Sequence, residues 1–319
     1  MKMQFTLQKG KQRWKMTMWY NNLNEYLRQR YGKKIYKLAL DVGRTCPNRD
    51  GTCGNRGCIF CSGSGSGEFA ANRQLSIGEQ LVEAKERIHK KLPTEDIGYI
   101  AYFQAFTNTY GSVAELEPLF MEAIEDSEVE VISIATRPDC LQEDILDMLE
   151  RLNRIKPVWI ELGLQTIHPR TAEYIRRGYD LSVYDRAVTD LKEREIDVIT
   201  HVILGLPGET VEDMLATIEY VGKTRTQGIK LQLLHVIENT DLQKDYLEGK
   251  FETFSLDEYI DVLELCIRHL PKDMVIHRLT GDGAKRTLIA PLWSGNKRMV
   301  MNTIRREFVC RDVVQGSLL

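Results

Sequence analysis

Three cysteines, Cys46, Cys58 and Cys61, sit in one glycine-rich stretch, CPNRDGTCGNRGCIFCSGSGSGEF, spaced as C-x11-C-x2-C. Thiolates are the ligands of zinc and of iron-sulfur clusters, and an all-protein site of either kind closes with four ligands. Three thiolates leave one position open for a substrate or cofactor, and openness implies catalysis. Half a zinc knuckle, or a redox C-x-x-C, is the plainer reading of the same residues. Cys53 competes with Cys46 as first ligand; Cys46 is favoured because it lies next to the end of a strand-like run, Lys37-Leu-Ala-Leu-Asp-Val-Gly43. Cys140, Cys266 and Cys310 have no ligand partner close in sequence and read as buried apolar residues.

The elements that must position these thiols alternate along the chain. Apolar runs at 35–42, 97–103, 129–135, 158–164, 197–204 and 229–236 read as strands. Helical patterns at 77–91, 113–126, 142–153, 182–195, 210–226 and 255–270 separate them, and Ser76 with Glu79 and Ser255 with Glu258 are capping boxes. Near-continuous apolar strands alternating with helices argue for a parallel sheet buried on both faces. The expected fold is α/β, a partial (β/α)6 TIM-like barrel. Residues 1–34 read as a basic, aromatic N-terminal arm, 35–270 as the barrel core, and 271–319 as a C-terminal extension packing on the barrel. Within that extension, 274–279 is strand-like and 296–308 helix-like.

The net charge of -3 hides a strong segregation. Residues 1–40 hold ten Lys or Arg against Glu25 alone, and residues 285–311 hold seven against Glu307 alone, so the rest of the chain carries 26 basic and 44 acidic residues. Basic ends on an acidic body can bind phosphate. Trp14, Trp19, Tyr20, Tyr26, Tyr31 and Tyr36 are interleaved with the first set, and flat rings beside cations suit unstacked bases. The alternative is an arm that packs its aromatics on the main domain. Lys11, Arg13, Lys15, Arg28 and Arg30, with Lys297, Arg298 and Arg305, are the candidate RNA contacts. No apolar run approaches the roughly 20 residues that span a bilayer. Seven cysteines, an odd number concentrated in one loop, fit a reducing compartment and metal chemistry, which places the chain in the cytoplasm with no membrane association.

The cysteine pattern resembles the widened cluster loop of the radical S-adenosylmethionine (SAM) enzymes related to Elongator's catalytic subunit. With its CPNRDG and FCS flanks it is similar to the YtqA/YhcC family of small Elongator-like radical SAM proteins, over nearly the whole chain from about Tyr36. The resemblance implies a radical SAM type of barrel in which Cys46, Cys58 and Cys61 hold three irons of a [4Fe-4S] cluster. The fourth iron chelates SAM, whose one-electron cleavage yields a 5'-deoxyadenosyl radical. Phe60, between the last two cysteines, would shield the cluster. The segment Phe103-Gln-Ala-Phe-Thr-Asn-Thr-Tyr110 occupies the place of the methionyl contacts, with Gln104, Thr107 and Asn108 as candidates. Arg137, at the end of the third strand, could pair with the SAM carboxylate, with a substrate anion, or in a structural salt bridge. Glu161 and Gln165 of Trp159-Ile-Glu-Leu-Gly-Leu-Gln-Thr166 fall on one side of a strand, where they could bond the ribose hydroxyls. Gly205 of His201-Val-Ile-Leu-Gly-Leu-Pro-Gly-Glu209 would let adenine approach the backbone, although such a turn is ordinary strand-to-helix punctuation. His201 reads as structural or substrate-facing.

The same resemblance implies tRNA as partner, with its wobble uridine as substrate, and an electron donor such as flavodoxin or ferredoxin. MnmL-type members are associated with converting 5-carboxymethylaminomethyluridine, or its 2-thio form, to the 5-aminomethyl form. Two other classes stay open: a radical SAM enzyme acting on a small molecule or peptide, and a non-catalytic nucleic-acid-binding iron-sulfur protein.

Overall fold

The computed structural model describes residues 20–319 except 66, 68, 69, 91–95, 282 and 284. Lys11, Arg13 and Lys15, with Trp14 and Trp19, lie outside the described residues. Strands form where the apolar runs predict them: β1 (Lys34–Leu40), β2 (Ile97–Phe103), β3 (Val129–Thr136), β4 (Val158–Gln165), β5 (Asp197–Leu204) and β6 (Gly228–Leu233). Three short strands follow, β7 (Val236–Ile237), β8 (Val275–Arg278) and β9 (Leu288–Ala290). β1 to β6 and β8 make one parallel sheet in chain order, and β7 pairs antiparallel with β9. The strand expected to run to Val236 therefore stops at Leu233, because Val236 and Ile237 leave the sheet to pair with 288–290.

The helices are α1 (Leu23–Tyr31), α2 (Ile77–His89), α3 (Val113–Glu125), α4 (Glu143–Ile155), α5 (Pro169–Tyr174), α6 (Leu181–Glu193), α7 (Val211–Thr224), α8 (Asp241–Leu247), α9 (Leu256–Arg268) and α10 (Lys297–Cys310). Both expected capping boxes form: Ser76 Oγ accepts from Glu79 N, Ser255 Oγ from Glu258 N, and each glutamate returns a bond to the cap nitrogen. The crossover helices bury one large core against the outer face of the sheet, with Leu38, Phe103, Phe120, Leu149 and Tyr184 in it. Two parallel edges, β1 and β8, do not pair with each other, so the barrel is partial.

The inner face is layered, because residues two apart on a strand share a face. Ile35, Ile100, Val131, Trp159 and Ile199 make an apolar floor. Lys37, Tyr102, Ser133, Glu161, His201 and Lys230 form a polar storey above it. α1 closes the floor from below. Asn22 caps this helix, accepting from Glu25 N at 3.1 Å, and also bridges to Ile276 of β8; the chain then enters β1 after Gly32. The helix thus spans the gap between the unpaired edges, with Leu27 buried and Leu23, Tyr26 and Tyr31 packed beside it. Tyr26 and Tyr31 are in the fold and not presented to a base, and Tyr20 packs edge-on against Phe308 of α10. Apolar packing has taken Tyr20, Tyr26 and Tyr31 among the rings that sequence alone offered to RNA.

Leu27→Ala is expected to lower unfolding stability by about 2–5 kcal/mol, the usual range for a buried leucine. Arg28→Ala, on the exposed face of the same helix, should stay within roughly 0.5 kcal/mol. Urea unfolding of the two variants checks this.

Candidate functional site

The cysteine loop leaves β1 under firm control. Gln80 of α2 is buried and clasps the strand end, its Oε1 accepting from Asp41 N and its Nε2 donating to Asp41 O, both at 2.9 Å. Beyond Gly43 the loop folds on itself: Arg49 N donates to Cys46 O, Cys53 N to Pro47 O, Gly57 N to Asn48 O and Cys61 N to Cys58 O. Asn48 Nδ2 reaches across the barrel to Arg176 O at 2.7 Å and lies 3.5 Å from Cys58 Sγ. Asp241, at the start of α8, pairs with both Arg56 of the loop and Arg176. These two arginines hold its carboxyl far below the usual range. Gly65 must lack a side chain, since its φ is 59° and a Cβ there would meet the Phe106 ring at 2.3 Å.

Cys46, Cys58 and Cys61 line one cavity of about 260 Å³. Burial, with Cys61 and Cys46 close by, pushes the Cys58 thiol up to about 12. Cys53 is exposed and off this cavity. Cys140 and Cys266 are buried as expected, whereas Cys310, the last residue of α10, is exposed, the core side of that helix being taken by Val300, Ile304 and Phe308. Among the described residues no three His, Cys, Asp or Glu side chains converge on a single metal position. Three thiols set around a cavity can instead hold a cluster of several irons. Phe60 lines the cavity and joins Ile59, Ile175, Ile203 and Leu234 in an apolar wall beside the thiols.

The other candidates divide. Gln104, Thr107, Arg137, Glu161 and Gln165 all line the cavity; Asn108 and Gly205 do not. Asn108 is wholly buried, its Nδ2 donating to Phe103 O and Ala135 O, so it splices β2 to β3, and its Oδ1 is buried without a hydrogen-bond partner. At Gly205 the close neighbour is the Phe254 ring, 3.0 Å from where a Cβ would stand, so the glycine makes room for protein. Arg137 is gripped by both oxygens of Asp139, donates to Arg177 O at 2.9 Å and stacks on Tyr179, which is the structural salt bridge of the three options. Burial opposes its charge, and the Asp139 pair more than restores it. Gln165 has a φ of 70°, at an irregular step in the β4–β5 ladder, and its Oε1 is buried without a hydrogen-bond partner. A ribose hydroxyl is the kind of donor that oxygen lacks.

Glu161 is committed elsewhere. Its Oε1 accepts from Lys37 Nζ at 2.8 Å and Ser133 Oγ at 2.9 Å; its Oε2 accepts from His201 Nε2 at 2.9 Å and from Lys230 Nζ. Both of its oxygens are thus bonded inside the barrel. Burial works against its charge, but Lys230, Lys37 and His201 hold it well below the usual carboxylate range. Burial, then Lys230, lowers His201 to about 4. Lys37, Lys230, Tyr102, Asn48 and Asp241 escaped the sequence reading. A charged residue inside an apolar strand, as Lys230 is in Gly228–Leu233, was the available signal.

The candidate RNA contacts also separate. Arg28, Arg30, Lys297, Arg298 and Arg305 are all exposed. Trp293, just before α10, donates to Phe254 O near the Gly205 turn, while Arg305 lies by Tyr20. Fourteen helical residues span roughly 20 Å, so Lys297 and Arg298 stand toward the cysteine end of the barrel and Arg305 toward the floor, with Arg28 and Arg30.

Acid should weaken the fold through this storey. His201 is neutral in the folded chain down to about pH 4 but binds a proton near 6.5 when unfolded, so its contribution is present above 6.5 and lost as pH falls toward 4. Buried His277 is lowered likewise, by burial and then Lys37. Unfolding curves below pH 6.5 should steepen toward a slope of roughly 1.4 kcal/mol per pH unit from His201, which His201→Gln should remove, and His277→Gln should flatten the acid limb further.

Residues 48–221 match the radical SAM superfamily, and residues 226–309 match the radical SAM C-terminal domain. YtqA of Bacillus subtilis is 44% identical across 93% of this chain and 92% of its own length. YhcC of Escherichia coli is 36% identical across 92% and 93%. A tRNA uridine(34) acetyltransferase of Methanocaldococcus jannaschii is 24% identical over 80% of this chain and 53% of its own. Among solved structures, the archaeal Methanocaldococcus infernus Elp3 with residues 1–46 deleted has the same fold, with a TM-score of 0.65 at 16% identity over 88% of this chain and 64% of that one. None of the described helices is long and apolar enough to cross a membrane. A superfamily match that runs from the cysteine loop through most of the barrel, joined to relatives that align over nine tenths of the chain, makes this protein a radical SAM enzyme of the YtqA/YhcC family, with a [4Fe-4S] cluster and SAM as its cofactors.

Proposed function

We propose that this enzyme modifies the wobble uridine of tRNA, converting 5-carboxymethylaminomethyluridine or its 2-thio form to the 5-aminomethyl form. The observation that carries the reading is a cavity of about 260 Å³ bordered by all three ligand cysteines. An anticodon base is unpaired and can be splayed into such a pocket. Relationship to an enzyme named for uridine 34 of tRNA supports the same substrate.

Cys46, Cys58 and Cys61 would hold the cluster. Gln104 and Thr107 would face the methionyl end of SAM, and Gln165 the ribose. Arg137 and Asp139 act as a positioning pair behind them. When bound, these cofactors supply a carbon-centred radical that takes a hydrogen atom from substrate, after one electron from a donor such as flavodoxin or ferredoxin. Phe60, Ile175 and Ile203 keep water from that space. Lys297 and Arg298, at the cysteine end of the barrel, would contact phosphates of the tRNA body, and Arg28, Arg30 and Arg305 would do so only if it wraps to the floor.

Anaerobically reconstituted protein should show iron-sulfide absorbance that Cys46→Ala, Cys58→Ala and Cys61→Ala each abolish and Cys53→Ala leaves in place. With SAM, dithionite and tRNA from a strain lacking the protein, nucleoside mass spectrometry should find the carboxymethylaminomethyl nucleoside replaced by the aminomethyl one. SAM cleavage with every nucleoside unchanged would move the substrate to a small molecule or peptide. Lys297→Ala with Arg298→Ala should weaken tRNA binding and cut the log-log salt slope by about 2.

A further inference from the structure

The amide of Asn48 does more than tie the cysteine loop to the opposite wall. The side chain is buried, and its Nδ2 lies 2.7 Å from Arg176 O, 3.3 Å from Arg177 O and 3.5 Å from Cys58 Sγ. Two carbonyl oxygens beside this end of the amide identify it as the nitrogen, since an amide oxygen there would face both of them with no proton between. The nitrogen has two protons to give. Arg176 O takes one. Arg177 O is long for an N–H···O bond and already accepts from Arg137 Nη1 at 2.9 Å, so its need for a donor is met. Sulfur is the larger atom, and Cys58 Sγ is the acceptor left for the second proton.

The backbone is shaped around this amide. Arg176 and Gly178 are both left-handed, with φ of 57° and 84°, and a Cβ at Gly178 would meet Asn48 Oδ1 at 2.7 Å. The turn thus brings two successive carbonyls to one end of the amide and leaves room for the other. Its own side chains hold it: Arg177 Nη1 donates to Leu164 O and Thr166 O, and Arg176 Nη2 to Asp241. A tie between loop and turn needs only the Arg176 bond, so the second proton, directed at a ligand atom, calls for another reason. As a thiol, Cys58 can donate in return, and its Sγ lies 3.7 Å from Arg176 O. The thiolate is the form that binds metal. It has no proton, so as a ligand this sulfur can only accept.

We propose that Asn48 is a positioning residue that acts through Cys58, its N–H···S bond to the thiolate raising the reduction potential of the cluster. The electron that a donor such as flavodoxin or ferredoxin supplies adds one negative charge, part of which falls on the ligand sulfurs. A proton donor held against one of them favours the reduced form over the oxidised one, and hydrogen bonds to the sulfurs are among the controls on such potentials. That a cluster is bound here follows from the family; that Asn48 sets its potential rests on the geometry of this one amide.

The test is a dye-mediated redox titration of the reconstituted enzyme without SAM, followed by the electron paramagnetic resonance of the reduced cluster. Asn48→Leu is close in shape and has no N–H. It should keep the iron content of the wild type, while the ratio of reduced to oxidised cluster at a fixed ambient potential falls about tenfold, which for one electron is a shift of about 59 mV to lower potential. Arg56→Met, which removes a tie of the same loop but no bond to a sulfur, should leave the potential where it is. Pulsed resonance of the unmutated enzyme carrying 15N-asparagine should show a nitrogen coupled to the reduced cluster, a readout that does not depend on any variant's holding iron. An unchanged potential in an iron-replete Asn48→Leu, an equal shift in Arg56→Met, or no asparagine coupling in the unmutated enzyme would each overturn the proposal.

Discussion

One buried carboxylate ties the barrel together. Glu161 of β4 accepts from Lys37 of β1, Ser133 of β3, His201 of β5 and Lys230 of β6, and Lys230 in turn donates to Tyr102 of β2. Five of the seven strands thus meet at one group, and a sixth joins through Lys230. A parallel sheet that does not close has no ladder between its first and last strands to fix its curvature. Bonds across the lumen supply that restraint, and they work only because the carboxylate is dry enough for each bond to be strong. The arrangement also explains why the inner face is not packed with apolar side chains as the interior of a closed barrel is.

The cysteine loop is organised by the same logic at the other end of the strands. Its first turn is clasped by Gln80, and its far side is held by Asn48 on Arg176 O and by Arg56 on Asp241. Those partners belong to segments after β4 and after β7, so the thiols keep their spacing only when the sheet is curled enough to bring them near. Curvature set at Glu161 and ligand geometry set at Asn48 are therefore coupled through rigid strands. Gln165, which lines the cavity and whose Oε1 is buried without a partner, sits four residues above Glu161 on the same strand and inherits its position.

Much of this was legible from residue order. The C-x11-C-x2-C spacing, the six long strands and the main helices were readable because each depends on local pattern: ligand type, apolar runs and caps. α1 was hidden because its helix is short and its apolar face, Leu23 and Leu27, looks like part of a charged arm until the floor it covers exists. What Asn108 and Gly205 touch was hidden for a related reason. Both lie where a ligand-binding residue would lie in sequence, and only the packed structure shows Asn108 bonded to two backbone carbonyls and Gly205 under Phe254. The polar storey was missed because its members come one to a strand, so no stretch of sequence shows more than a single charge interrupting an apolar run.

That distribution bears on what the lumen is for. Most of the apolar burial lies between the sheet and its outer helices, with a smaller share under the floor. The middle of the barrel contributes little hydrophobic stabilisation, and its buried charges fix the curvature more than they add net stability, since buried ion pairs replaced by apolar residues of like volume are often neutral or stabilising. Polar groups kept where packing would do better are a sign of function when they also border a cavity. Here they border the same cavity as the cysteines. Stability is thus carried by the outer shell and by α1, which leaves the inner face free to line the cavity that the cysteines border.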